Sequence, residues 1–266
     1  MYWITFIFLV LTSKEGCESK SDLRVLKGRD AHDGEFPFVV ILYQTFYFDN
    51  VLNWSRRCTG SMISELWMIT AAHCMTDVEL ETLYVMHTNF TVSPLESKMY
   101  TKVRKRFIHP AYHDYVLKGS HEIRTSLYND VSLLLVDKLA MSTYGRLLAA
   151  DHFTIIGLPV IYVGGGDTRE TKPGVDKLRV LQVGEAGVVS CAGRDAHEKY
   201  VICIAARCDN RHQKPWFGDS GGPLLYDGRI IGVCSTSVGD DVVSEEFYAA
   251  ISPHLNWIHD TMKNNV

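Results

Sequence analysis

A chain of 266 residues with 46% hydrophobic and 22% charged residues has the make-up of an ordinary globular protein. It is long enough for one large all-β domain or two smaller ones. A formal net charge of −4 and a pI near 6.2 provide no electrostatic footprint for a nucleic-acid partner.

Met1 to Leu11 is apolar and aromatic. The run is too short for a membrane-spanning helix, which needs ~20 residues. It fits the apolar core of a secretory signal, although no Lys or Arg precedes it. Ser13 and Gly16 are small enough to end such a segment, so the expected organisation is a signal peptide at 1–16, a short polar piece at 17–24 and a domain at 25–266. The sequons Asn53-Trp54-Ser55 and Asn89-Phe90-Thr91 agree with secretion. The polar piece ends Asp22-Leu23-Arg24 and is followed by Val25-Leu26-Lys27-Gly28.

Short β-branched and aromatic runs then recur between turn residues, with no helical period. They are Phe36–Tyr43, Ser61–Thr70, Leu83–Phe90, Tyr100–Ile108, Val131–Val136, Leu178–Val183, Gly187–Ser190, Pro223–Leu225 and Ile230–Ser235. Many short strands at this spacing predict an all-β barrel or sandwich. The basic run Lys102–Arg106, near His109, reads as a solvated strand face rather than a polyanion site. The stretch from His109 to Asp130 holds Tyr112, His113, Tyr115, His121 and Arg124. Its His spacing fits no common metal-ligand pattern, and it reads as a solvated loop. Gly164-Gly165-Gly166 lacks the Lys-Ser/Thr and helix start of a phosphate cradle and reads as a local loop. The tail Ser252–Met262 has apolar spacing suited to a helix, with Ser252 as N-cap and Pro253 in first position.

Three motifs carry chemistry. In Gly218-Asp219-Ser220-Gly221-Gly222-Pro223, flanking glycines let the backbone turn sharply and let a carbonyl approach Ser220. The N–H groups of Gly218 and Ser220 are then candidate donors to a developing oxyanion. A serine nucleophile needs a base, and Thr70-Ala71-Ala72-His73-Cys74 offers His73. A base needs an orienting carboxylate, and Asp130 stands just before the apolar run Val131–Leu135. With these motifs in the order His, Asp, Ser, the chain resembles the trypsin/chymotrypsin-family serine proteases from about Val25 to its end. The order sets it apart from subtilisins and α/β-hydrolases.

The resemblance implies two six-stranded antiparallel barrels with a C-terminal helix and a cleft between them. It implies acyl transfer to Ser220, with His73 as base, Asp130 as its orienting partner and Gly218 and Ser220 as oxyanion hole. In the family, a cut after a basic residue frees an Ile or Val ammonium that inserts beside the Asp preceding the nucleophile; Arg24, Val25 and Asp219 match those roles. Lys27 stands where the family usually has a small residue. Ser235 matches the serine that abuts the orienting Asp and begins the substrate-backbone edge. Lys214 occupies the pocket-floor position where trypsin-like relatives carry Asp, and Ser237 and Glu246 replace the glycines that line the pocket. A preference for Lys or Arg before the cut is therefore not expected.

The chain has seven cysteines. The resemblance implies the bridges Cys58–Cys74 and Cys191–Cys203. Val160 and Tyr226 sit where a third family bridge would be, and Trp216 where a Cys usually braces the pocket. Cys208 and Cys234 are left to bridge near the pocket, and Cys17 is the odd one. The implied partners are a protein or peptide substrate, a trypsin-like activating protease and a protein inhibitor, acting on a secreted monomer without cofactor, metal, nucleic acid or membrane. A second class of function, a catalytically weak homologue serving as a binding or regulatory module, is suggested by the altered pocket and Lys27.

Overall fold

The computed structural model describes residues 28–118, 123–151, 153–166, 178–191, 200–206, 214–215, 217–239 and 244–265. After the short edge strand β1 (Arg29–Asp30) come β2 (Val39–Phe48), β3 (Val51–Met62), β4 (Trp67–Thr70), β5 (Leu83–Met86), the single turn α1 (Pro94–Ser97) and β6 (Tyr100–Ile108). The hairpin β7 (His113–Lys118) and β8 (Ile123–Tyr128) precedes β9 (Ser132–Val136). The order β2-β3-β4-β9-β6-β5 closes the first six-stranded barrel. The second uses β10 (Pro159–Gly164), β11 (Gln182–Val189), β12 (Val201–Ala206), β13 (Pro223–Tyr226), β14 (Arg229–Gly239) and β15 (Ser244–Ala250). It runs β11-β10-β13-β14-β15-β12 and closes through β12 on β11, with β1 added at β11. All pairings within both barrels are antiparallel. The expected architecture of two six-stranded barrels is the one found.

The core explains why the strands read as unbroken apolar runs. Successive side chains of a strand point to opposite faces. On β2, Val40 and Leu42 fill the first barrel while Val39, Ile41 and Tyr43 face a separate cluster. On β9, Leu134 and Val136 point into the barrel and Leu133 away from it. The separate cluster takes Val163, Leu225, Ile230 and Val233 from the second barrel, whose own interior is filled by Val160, Tyr162, Leu224, Ile231 and Tyr248. The two barrels thus share a third, intervening core, and both faces of these strands are apolar because both are buried.

Several local expectations change. The stretch read as a loop between His109 and Asp130 contains the antiparallel hairpin β7–β8, favoured by its Tyr, Val, Ile and Thr content. β8 packs against β14 of the second barrel. The end of the run Leu178–Val183 and most of Gly187–Ser190 belong to the single strand β11, and Leu178–Leu181 precede it. Gly184, which looks like a break, sits under Tyr162, whose ring carbon Cζ would lie 2.0 Å from an added Cβ. The C-terminal helix α2 (Leu255–Asn264) begins later than its cap residue predicted. Ser252–His254 forms a 3₁₀ turn, fixed by His254 N–H donating to Ile251 C=O at 2.9 Å, and His254 stands at the N-cap. In the basic run, Arg104 pairs with Asp137 at 2.6 Å, and Arg106 donates to the carbonyls of Met75 and Val78.

Cys58–Cys74 and Cys191–Cys203 are bridged. Cys234 is a buried free thiol, so the expected bridge to Cys208 is not made. Its neighbours are the second-barrel interior, among them Tyr162, Ile204 and Tyr248. Burial first, then the charges of Asp219 and Glu246, push this thiol well above its ordinary range. Val160 and Tyr226 meet the same apolar cluster, so packing stands where the resemblance puts a third bridge. Arg24, Val25, Lys27, Cys17, Cys208 and Trp216 lie outside the described residues. Asn89 is exposed beside a turn, with Thr91 Oγ1 donating to its Oδ1 at 2.6 Å, whereas Asn53 is half-buried within β3.

His254 ties the helix start to both barrels. Its ring lies 4.7 Å from that of His109 and 6.0 Å from that of Tyr200, and it is 2% exposed. Burial, helped by His109, lowers its pKa to about 4. The unfolded chain, with a His near 6.5, takes up the proton first as pH falls. Stability from this site is complete above about pH 6.5 and is lost as pH drops toward 4, a loss of about 3 kcal/mol. Urea unfolding at pH 7 and pH 4 should therefore show a smaller acid loss in His254→Phe than in the wild type. Equal acid losses in the two proteins would refute it.

Candidate active site

His73 follows β4 directly. Ala71 and Ala72 are buried, and residues His73–Met75 form a 3₁₀ turn tethered to β3 through Cys58–Cys74. Thr76 Oγ1 donates to His73 C=O at 2.9 Å and holds the turn closed. Asp130 precedes β9, the neighbour of β4 in the same barrel, and is reached through Asn129, whose φ of 50° is a left-handed conformation that Asn tolerates better than most residues. The Asn129 amide donates to Ala111 C=O and fixes that bend.

The Asp130 carboxylate is 1% exposed and collects three donors. Backbone N–H of His73 reaches Oδ1 at 2.8 Å, while His73 Nδ1 and Ser235 Oγ reach Oδ2 at 2.7 and 2.6 Å. Burial on its own would raise this carboxyl, but the imidazole and these hydrogen bonds outweigh it and hold the pKa below the ordinary value. An ionised Asp130 can only accept, so Nδ1 carries the proton and Nε2 presents its lone pair to the cleft. Ser235 reaches Asp130 because of a β-bulge. Cys234 pairs with Tyr248 and Thr236 with Phe247, which leaves Ser235 as the extra residue. Such a bulge re-aims one side chain without ending the strand.

The Ser220 loop is held by its carbonyls. Gly218 and Gly221 have φ of 88° and 78°, conformations open to glycine. Thr59 N–H donates to Ser220 C=O and Thr59 Oγ1 to Gly218 C=O, both at 2.8 Å. Gly222 N–H donates to Asp219 C=O at 2.9 Å, and Phe217 C=O faces Gly166. In a trans peptide the N–H points opposite to the preceding carbonyl. The N–H groups of Gly218 and Ser220 are therefore turned away from these internal acceptors.

Asp219 is buried, and Gly166 N–H donates to its Oδ1 at 2.7 Å. The three-glycine run makes this possible. A Cβ on Gly164 would lie 2.0 Å from Asp219 Oδ1, and one on Gly166 2.4 Å from Phe217 O. Arg56 steadies the run by donating to Gly165 C=O, Phe90 C=O and Tyr43 Oη.

His73, Gly218 and Ser220 line one cleft of about 770 Å³ between the barrels. Ser235, Thr236 and Glu246 line it from the second barrel; Arg57, Cys58, Thr76, Tyr112 and Asp114 line it from the first. Arg57 is occupied by Gln44 and the carbonyls of Cys74 and Thr76. Lys214 and Glu246 are 9% and 4% exposed, and Ser237 stands opposite Glu246 in the β14–β15 ladder. Pro215 lines the cleft; Lys214 lies outside its lining. Cys58, His73 and Cys74 form a group of three metal-type donors. The two sulfurs are joined to each other, so neither can present a thiolate.

Sequence reasoning named His73, Asp130, Ser220, Gly218, Asp219 and Ser235, and the structure brings them to one cleft or against it. It missed Thr59, Arg56 and the function of Gly164–Gly166. Thr59 carried no local signal, because its partners lie 159 and 106 residues away. Three adjacent glycines did carry one, a need for close backbone approach.

The comparison with known proteins agrees with this geometry. The Trypsin family profile matches residues 25–258, and the chain belongs to that family, whose members are serine endopeptidases. It is 27% identical over 251 residues to serine protease 1 of Drosophila melanogaster, covering 89% of this chain and 85% of that protein. Mast cell protease 3 of Ovis aries is 26% identical over 273 residues, covering 98% and 96%. Duodenase-1 of Bos taurus is 26% identical over 250 residues, covering 90% of each.

Proposed function

We propose that the protein is a secreted serine endopeptidase made as a zymogen. The observation that carries this reading is the buried Asp130 carboxylate on His73 Nδ1, with Ser220 in the same cleft. His73 Nε2 takes the Ser220 hydroxyl proton as Oγ attacks the substrate carbonyl. The tetrahedral oxyanion is received by the N–H groups of Gly218 and Ser220. His73 then returns the proton to the leaving amine, and a water repeats the sequence on the acyl-enzyme. Asp130 stabilises the imidazolium throughout. Each oxyanion donor contributes about 3 kcal/mol in comparable sites.

Activation follows a cut between Arg24 and Val25, where the family match begins. The freed Val25 ammonium pairs with Asp219, whose carboxylate already sits in a glycine-walled pocket. The domain proper is then 25–266, with 1–16 as signal and 17–24 as activation peptide. Two disulfides suit an oxidising compartment, and no helix among the described residues is long and apolar enough to cross a membrane.

Labelling by a fluorophosphonate of the chain cut after Arg24 tests this directly. Labelling should require Ser220 and His73 and be lost in Ser220→Ala, and Arg24→Gln should stay unlabelled after treatment with trypsin. No labelling of the cut wild type would favour a binding or regulatory module instead.

Specificity is proposed to be non-tryptic. The buried Glu246 side chain lines the cleft where the resemblance implies a glycine, and Lys214, buried outside that lining, stands at the position where the resemblance implies an acidic floor. A Lys214–Glu246 pair would neutralise both charges and leave no free carboxylate to attract a basic side chain. Small or acidic side chains before the cut are expected, with Tyr112 and Asp114 contributing contacts from the stretch between His109 and Asp130. A peptide-library profile should show this; a dominant preference for Arg or Lys would defeat it.

A further inference from the structure

We infer that Thr59 is a positioning residue for oxyanion stabilisation, coupling the pocket that holds Asp219 to the peptide groups facing the substrate carbonyl. The inference rests on the peptidase reading and assigns a further residue to it.

Thr59 is fully buried on β3 and uses every polar atom it has. Its N–H donates to Ser220 C=O at 2.8 Å, and its C=O accepts from Thr70 Oγ1 at 2.8 Å. Its hydroxyl accepts from Gly165 N–H at 2.9 Å and donates to Gly218 C=O at 2.8 Å. The next residue, Gly166, donates to Asp219 Oδ1 at 2.7 Å. A short path therefore runs from the Asp219 carboxylate through the Gly165–Gly166 backbone and one hydroxyl to the carbonyl of Gly218.

The hydroxyl matters because of what Gly218 is. Its φ of 88° lies where glycine has several accessible conformations of similar energy, so its flanking peptides can turn at little cost. Backbone pairing through Thr59 N–H holds only Ser220. The hydroxyl holds the Gly218–Asp219 peptide, the one between the two proposed oxyanion donors. Because the same oxygen accepts Gly165 N–H, its proton is directed at Gly218, and the glycine run that seats Asp219 sets the orientation. Valine has the same shape but can neither accept from Gly165 nor donate to Gly218. The main-chain bonds to Ser220 and Thr70 would remain in that variant.

The test compares wild type, Thr59→Val and Thr59→Ser, each cut after Arg24, on p-nitrophenyl acetate, an ester too small to depend on the specificity pocket. Thr59→Val should lower the acylation rate at saturating ester by about tenfold or more, with KM within about twofold, the pattern of an interaction made in the transition state. Thr59→Ser should recover most of the rate. A residue that only supports the fold would lower the melting temperature in Thr59→Val and leave the rate below that temperature unchanged. Should valine prevent folding, Thr59→Ala removes the hydroxyl without adding bulk and gives the same comparison. The inference is overturned if the hydroxyl-free variant acylates at the wild-type rate, if serine fails to restore it, or if the loss lies in KM alone. Wild-type hydrolysis that does not depend on Ser220 would instead overturn the peptidase reading, and this assignment with it.

Discussion

The buried charge of Asp130 is the constraint on which the rest of the structure depends. A carboxylate this far from water is tolerated only when several donors replace its hydration. Its donors come from two bodies: His73 sits at the end of a first-barrel strand and Ser235 on a second-barrel strand. The first barrel supplies two of the three donors and the second barrel the third. Docking of the barrels, through the intervening core that Ile41, Trp67 and Leu133 share with Val163, Leu225 and Val233, is what completes the shell. The same docking places His73 and Ser220 along one cleft. Fold stability and site assembly are thus one event.

A second buried carboxylate, Asp219, organises the other half of the site. Gly164 and Gly166 of the three-glycine run leave room for its carboxylate, and Gly166 N–H donates to it. Arg56 and Thr59 hold that run against β3, and Thr59 also holds the loop carrying Ser220. In the proposed mechanism one carboxylate sets the base and the other sets the oxyanion donors. Glu246, a buried acid, lines the same cleft as the free thiol of Cys234 and the bulged Ser235.

Much of this was legible in the sequence, for reasons that differ by level. Local chemistry is written in short motifs, so the segments around His73, Asp130 and Ser220 declared themselves, and the two bridges followed from the family resemblance. Most strands of the first barrel were legible because their runs are apolar on both faces, whereas Val51–Gly60 of β3 carries Asn53, Ser55, Arg56 and Arg57 and was not read as a strand. β10, β12 and β15 were not recognised: Pro159 and Gly164 bound the first, Ser244-Glu245-Glu246 opens the last with polar residues, and Val201–Ala206 is a short apolar run that was passed over. The His109–Asp130 stretch hid a hairpin because its strands, His-Asp-Tyr-Val-Leu-Lys and Ile-Arg-Thr-Ser-Leu-Tyr, do not alternate between polar and apolar residues. Cys234 defeated cysteine counting because its place is fixed by the interior of the second barrel rather than by a partner. Thr59 defeated it for a simpler reason: its hydroxyl bonds join segments far apart in the chain.

The most direct test of the central interaction is Asp130→Asn in the cut chain. An amide in place of the carboxylate keeps the shape but can donate to His73 Nδ1, which favours the imidazole tautomer with its proton on Nε2 and no lone pair for Ser220. If Asp130 sets the tautomer as proposed, kcat for a peptide substrate should fall by about 10⁴-fold while the melting temperature shows the fold intact. A variant that folds and keeps kcat within about tenfold of wild type would contradict the role assigned to the buried carboxylate.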